Sequence, residues 1–139
     1  MKRKHYILLT IISLTIGTLV YIFYNQSALV FAAISKIIHI PTINIENPIL
    51  AGFLQCYCAD LFWAISFALI TQSILMLDRK QAYWLMLSSC LGLVVEMLQL
   101  FHIIKGVFDY YDIIVYILGT GITTIIVKLG GKNYENKAE

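Results

Sequence analysis

The sequence predicts an all-α fold, an integral membrane four-helix bundle with a short interfacial helix between its first two spans. One observation is composition: 60% of the 139 residues are hydrophobic and 13% are charged, with a mean hydropathy of +0.81, whereas soluble domains are roughly 45–50% apolar. The other is grouping, because the apolar residues form four runs of about 20 residues, enough to cross about 30 Å of hydrocarbon. We therefore expect a single membrane domain over residues 1–139, with the lipid bilayer as its main partner.

The first span is predicted at residues 6–24, directly after the basic residues 2–4. A basic start before an apolar stretch also fits a cleaved signal peptide, which is the alternative interpretation. The apolar run of about 19 residues exceeds the usual signal core of about 7 to 15 residues, so a retained span is favoured.

Residues 25–47 have a mixed pattern that predicts the interfacial helix. Apolar residues recur there at helical spacing while polar ones fall between them, as in a helix that lies along the membrane surface. Pro41 is expected to end this helix. Asn47 followed by Pro48 predicts a helix start, because the Asn side chain accepts an unpaired N–H and Pro has none to pair.

Three further spans are predicted at residues 57–77, 82–104 and 111–129. Polar residues 78–81 separate the second span from the third, and residues 105–109 form a tight turn before the fourth. Gly130 and Gly131 are expected to end the last helix before a polar tail. The third and fourth spans are therefore antiparallel neighbours.

Basic residues predict the orientation, since Lys and Arg near spans stay on the cytoplasmic side. With both termini in the cytoplasm, Lys36 and Lys105 lie outside, and the remaining basic residues lie inside: Lys2, Arg3, Lys4, Arg79, Lys80, Lys128, Lys132 and Lys137. The opposite orientation would reverse this ratio.

Charge and motifs exclude several classes of function. A net charge of +2, spread between the apolar runs, does not indicate nucleic-acid binding. The three cysteines have no metal-site spacing, and no hydrolase or phosphate-loop motif occurs. We predict no catalytic residue, no metal and no cofactor, and the sequence leans against an enzyme.

Acidic residues inside the spans are the candidate site. A carboxylate in the bilayer costs about 3 kcal/mol on insertion scales, so it usually has a partner or a use. Glu96 shares one predicted face of the third span with Ser89, Gly92, Gln99 and His102, and this face should point inward.

Span four repeats this pattern from its outer end with Asp109, Asp112 and Tyr116, and Asp60 lies near the outer end of span two. We expect these side chains to converge on a polar pocket that opens to the extracytoplasmic side. The predicted ligand-binding residues are Asp60, Glu96, Gln99, Asp109, Asp112 and Tyr116.

A structural role explains several of the same residues. Asp109 can cap span four, with Asp112 in the first turn favoured by the helix dipole. Glu96 and Gln99 can form an interhelical hydrogen bond that fixes packing, worth about 0.6 to 2 kcal/mol. His102 fits a helix interface better than a ligand role.

The stretch Glu96-Met97-Leu98-Gln99, followed by residues 106–112 (GVFDYYD) and Gly119, resembles the VanZ-like family of small bacterial membrane proteins. Asp60 is similar to an acidic residue that this family carries in an earlier span. The chain departs from the family at two positions. Members often carry Arg shortly after the Glu-x-x-Gln element, where this chain has only Lys105, and they often carry Asn at the position of Tyr116. The resemblance covers about residues 60–121 and implies a bacterial cytoplasmic membrane protein of the cell envelope, loosely linked to glycopeptide resistance.

Three functions stay open at this point. The first is recognition of a lipid head group or a cell-wall-related ligand, polar or cationic, by the acidic pocket. The second is a small transporter or flippase-like protein, for which acidic faces suit a cation better than an anionic lipid. The third is an accessory or structural subunit whose polar faces pair with a partner membrane protein, or with a second copy in a homodimer.

Overall fold

The computed structural model describes residues 1–24, 45–104 and 107–135, with side chains described up to residue 130. The described chain is helical and contains no strand. Its helices, in chain order, are α1 (Arg3–Tyr24), α2 (Pro48–Cys56), α3 (Cys58–Leu75), a 3₁₀ helix (Ala82–Ser89), α4 (Cys90–Leu100) and α5 (Tyr110–Glu135).

Within the described ranges, four helical segments are long and apolar enough to cross a membrane: Arg3–Tyr24, Cys58–Leu75, Ala82–Leu100 and Tyr110–Gly130. The prediction of an all-α, four-span membrane protein is confirmed. Successive spans run in opposite directions, so the start of α3, the end of α4 and the start of α5 share one end of the bundle.

Many of the side chains buried inside the bundle are small or polar, whereas many of those on its surface are large and apolar. Helix α3 is central and packs against α1, α5 and the 3₁₀ helix. Large apolar side chains such as Leu8, Ile74 and Ile125 are exposed. This arrangement is typical of helices packed within lipid, where small residues let backbones approach closely. The buried polar residues are Thr10, Ser13, Ser66, Gln72, Ser73, Ser89, Glu96, Thr120, Thr123 and Thr124.

Helix α1 packs against α3 through small residues. The Ser13 hydroxyl donates to the Phe62 carbonyl at 2.9 Å. Gly17 leaves room for Trp63, because a Cβ at that position would lie 2.9 Å from the ring. The two helices therefore approach each other closely at these two positions.

Helix α2, which precedes α3, is capped at its start by Asn47, as predicted. The Asn47 side chain accepts hydrogen bonds from the backbone N–H groups of Ile49 and Leu50, and Pro48 occupies the first helical turn. The predicted interfacial helix lies within residues 25–44, outside the described residues.

The third span differs from the prediction in helix type and in its end. Its first eight residues form the 3₁₀ helix, which rises about 2.0 Å per residue rather than 1.5 Å, so Ala82–Leu100 covers about 32 Å. The helix ends at Leu100, whereas residue 104 was expected. His102 adopts φ 58°, and its N–H donates to the Gln99 carbonyl while Ile103 N–H donates to Leu98. This pair of bonds is a Schellman ending.

The last helix continues through both glycines to Glu135. The expectation that Gly130 and Gly131 end it was wrong. Glycine lowers helix stability by only about 1 kcal/mol relative to Ala, which the flanking helical residues can offset.

Candidate functional site

The site consists of carboxyl side chains from three helices at one end of the bundle. Asp60 belongs to the first turn of α3, Asp112 to the first turn of α5, and Glu96 to the last turns of α4. We call this set, together with Asp109, the acidic end. The predicted convergence of acids from three spans therefore matches their placement in the fold.

Glu96 is the most buried member, with 2% of its surface exposed. Its Oε2 accepts the backbone N–H of Asp109 at 3.1 Å. This N–H belongs to the residue before α5, so Glu96 ties the end of α4 to the start of the next span. The bond supports the packing role that the sequence left open for Glu96, because its partner belongs to the chain that enters the next span.

Asp109 connects α5 to the start of α3. Its Oδ1 accepts the N–H of Tyr111 at 2.9 Å. Asp109 therefore caps α5, which is the structural role that the sequence predicted as one of two alternatives. Its Oδ2 accepts the Tyr57 hydroxyl at 3.0 Å. This hydrogen bond, more than burial or the charge of Asp109, raises the pKa of Tyr57 to about 12. Tyr57 was not among the predicted site residues, because a tyrosine near a span end is expected as an interfacial anchor.

Asp60 and Asp112 are half-buried and lie close enough to repel each other. The charged neighbours of Asp60 are Asp112 and Glu96, and those of Asp112 include Glu96 and Asp109. All of these neighbours carry the same sign. The negative charge at this end is therefore not balanced by the surrounding described side chains.

Tyr116 lies beneath the carboxyl groups, close enough for its hydroxyl to interact electrostatically with Asp60, Asp112 and Glu96. Its ring packs onto Gly92, where a Cβ would overlap the ring carbons. One turn further, a Cβ on Gly119 would lie 2.8 Å from the Ala64 Cβ and 3.0 Å from the Leu61 carbonyl oxygen. These two glycines set the close approach of α5 to its neighbours.

Gln99 and His102 are placed differently from the rest. Gln99 is half-buried in the last turn of α4. His102 is exposed, and its Nδ1 lies 3.0 Å from the Leu100 carbonyl oxygen. The prediction that His102 shares the inward face was wrong, because the helix ends at Leu100 and His102 itself adopts the left-handed conformation of the Schellman ending.

Within the described ranges, no group of three or more His, Cys, Asp or Glu side chains has a geometry that could hold a metal ion. The carboxyl groups thus approach each other without forming a coordination shell.

The opposite end of the bundle carries a feature that the sequence reasoning missed. A cavity of about 1090 Å³ lies there, and its described lining includes Lys2, Arg3, Arg79, Lys80 and Lys128. We call these residues the basic end. Their clustering near span ends was used only to orient the chain, and that same signal could have indicated a site.

Four helices long and apolar enough to span a membrane, with no strand in the described residues, define a multi-pass, all-α membrane protein. Comparison with protein-family models, with curated proteins and with solved structures found no match to this chain.

Proposed function

We propose that this protein recognises a cationic group, such as the ammonium of a lipid or cell-wall-related head group, at the acidic end on the extracytoplasmic side of the membrane. The single observation that carries the proposal is the convergence of Asp60, Glu96 and Asp112 from three different helices with like-charged neighbours. Carboxyl groups gathered in this way are costly inside a bilayer unless a proton or a cation balances them.

The ligand class follows from charge and from the aromatic side chain beneath it. An anionic group would be repelled by the carboxylates. An ammonium group is attracted to carboxylates and can also lie against an aromatic ring such as that of Tyr116. Glu96 and Asp109 hold the site together, and Asp60 and Asp112 are left for the ligand, because the former pair already accepts backbone or tyrosine hydrogen bonds.

Binding is favoured over transport by the polar residues below the site. The hydroxyls of Thr120, Thr123 and Thr124 donate to carbonyl groups one turn back on their own helix. Because all three threonines are buried, they line a packed helix face and not a hydrated path. An accessory role beside a partner membrane protein, or as a homodimer, stays an alternative that the binding experiment below distinguishes.

We also propose membership of the VanZ-like family, on the sequence resemblance over residues 60–121 alone. The resemblance implies the cytoplasmic membrane of a bacterium, and the distribution of basic residues implies that both termini lie in the cytoplasm. The buried Glu96 and the capping Asp109 give physical reasons why the resembling positions carry acids.

The proposal is tested by thermal unfolding of the purified full chain with short-chain phosphatidylethanolamine and with ethanolamine. We expect phosphatidylethanolamine to raise the melting temperature of the wild type and to have no effect on Asp112→Asn. Glu46→Gln is the matched control, because Glu46 is an exposed acid before α2 that belongs neither to the acidic end nor to the cavity at the basic end. An equal response of both variants, or no response of a folded wild type, would overturn the proposal and favour the accessory role.

Orientation is tested separately by thiol labelling in intact cells. Cys56 is exposed at the acidic end and Cys58 is buried, so we expect an impermeant maleimide to label Cys56. A chain with Lys80→Cys and all native cysteines replaced should be labelled at position 80 only after permeabilisation. The reverse pattern would place the acidic end in the cytoplasm.

A further inference from the structure

The cavity at the basic end lies between the starts of α1 and the 3₁₀ helix and the ends of α3 and α5. Its described lining holds the five basic side chains already named against one acidic side chain, Asp78. Lys2, Arg79, Lys80 and Lys128 are exposed at its rim. A cavity with this excess of positive charge attracts anions, and basic pockets between membrane helices are typical sites for anionic lipid head groups.

Arg3 has a structural task at this site. Its Nε donates to the Ser73 carbonyl at 2.7 Å, and its Nη2 donates to Ile74 at 3.3 Å. These carbonyl groups belong to the last turn of α3, where a positive charge is favourable. Arg3 therefore fixes the wall of the cavity, and the rim residues stay available for a ligand.

Gln72 provides an independent indication of a ligand. It lines the cavity and is 2% exposed, and its Nε2 donates to the Leu77 carbonyl at 3.0 Å. With Nε2 engaged, Oε1 is the remaining polar atom of the amide, and it has no hydrogen-bond partner among the described residues. The Tyr6 hydroxyl, which also lines the cavity, lies near this amide. A buried acceptor without a donor costs about as much as a lost hydrogen bond. A hydroxyl donor brought into the cavity would complete it.

We infer that the basic end binds an anionic phospholipid whose head group carries a hydroxyl, such as phosphatidylglycerol. The phosphate would lie among Arg79, Lys80 and Lys128, and the hydroxyl would donate to Gln72 Oε1. A lipid is favoured over a free phosphate because the exposed apolar side chain of Met76 lines the cavity. The exposed rings of Tyr83 and Trp84 follow the lining residue Gln81 in the chain, at a span end where rings meet the membrane interface. The inference does not depend on the function proposed for the acidic end.

The test measures binding of spin-labelled lipids to the full chain in phosphatidylcholine vesicles. We expect phosphatidylglycerol to be selected over phosphatidylcholine, and Lys80→Gln to lower this selection about fivefold, the effect of one basic residue near a membrane surface. Lys4→Gln is the matched control, because Lys4 is exposed on the same helix turn as Arg3 but does not line the cavity. Lys80→Arg should keep the selection, which separates loss of charge from loss of fold.

Three results would overturn the inference. Equal losses in Lys4→Gln and Lys80→Gln would mean a diffuse surface charge. Displacement of the lipid by inorganic phosphate, but not by chloride at the same ionic strength, would mean a soluble phosphate ligand. Equal binding of phosphatidylglycerol and phosphatidylmethanol, which has the same charge and no hydroxyl, would remove the role assigned to Gln72.

Discussion

The two ends of the bundle carry opposite charges and hold them in different ways. At the acidic end, Glu96 is buried and accepts the backbone N–H of Asp109, and Asp109 in turn accepts the hydroxyl of Tyr57. At the basic end, the lysines at the cavity rim are exposed, and Arg3 is tied to the end of α3. A charge within the bundle must be fixed because its desolvation has to be offset, whereas a charge at the rim keeps its water.

The largest expected effect is obtained by separating α3 from α5 near the acidic end. Gly119→Val places side-chain atoms against the Leu61 carbonyl and Ala64, and we expect it to lower the free energy of unfolding by about 3 kcal/mol through overpacking. A Cβ at Gly121 on the same helix meets no atom within 4 Å, so Gly121→Val should change the free energy by less than about 0.5 kcal/mol. Unfolding in mixed micelles measures both. Similar values for the two variants would contradict the packing described here.

The second effect concerns the buried carboxyl group itself. Glu96→Ala leaves the Asp109 N–H without an acceptor, and we expect a loss of about 2 kcal/mol. Glu96→Gln keeps an acceptor oxygen and should cost clearly less, by the same unfolding measurement. If both variants are equally destabilised, the bond from Asp109 is not what holds the two spans together.

The third effect lies at the basic end and is smaller. Arg3→Gln removes a charge and two hydrogen bonds to the last turn of α3, and we expect a loss of about 1 kcal/mol. Lys4→Gln, a neighbouring exposed cation without such bonds in the described structure, should leave stability unchanged. A loss in Lys4→Gln equal to that in Arg3→Gln would show a general charge effect.

The smallest effect is a shift in titration. The hydrogen bond to Asp109 raises the pKa of Tyr57 to about 12 from 10, so its stabilisation is fully present below pH 10 and disappears as the pH rises through 12. We expect Asp109→Asn to bring the pKa of Tyr57 back toward 10. The ultraviolet difference titration of each protein against its Tyr57→Phe variant isolates this group. An unchanged pKa would mean that Asp109 is not its partner.

Much of the fold followed from the sequence because hydrophobic length and capping chemistry act locally. The four spans and the Asn47 cap were predicted for this reason. The 3₁₀ segment and the early end at Leu100 were not, since helix type and the turn at His102 depend on how the third span packs against α3 and α5.

The candidate site was predicted in part. Helical spacing identified Asp60, Glu96 and Asp112, because costly acids inside spans are visible in one sequence. The hydrogen bond from Tyr57 to Asp109 and the Gln72 acceptor that no described residue pairs could not be predicted from the sequence. Both depend on how tertiary packing positions the side chains. The ligand roles of all these residues stay predictions.

The register of α3 against α5 decides whether the acidic end exists, and disulfide cross-linking measures it directly. From the contact of Ala64 with Gly119, Asp60 lies about 6 Å and Asp112 about 10 Å toward the same end. In a chain with its native cysteines replaced by serine, Ala64→Cys/Gly119→Cys should cross-link on mild oxidation, because the Cβ atoms need to separate by only about 1 Å to reach disulfide geometry. Ala64→Cys/Gly121→Cys should not. Cross-linking of the second pair, or of neither, would contradict the shared level of the two acids.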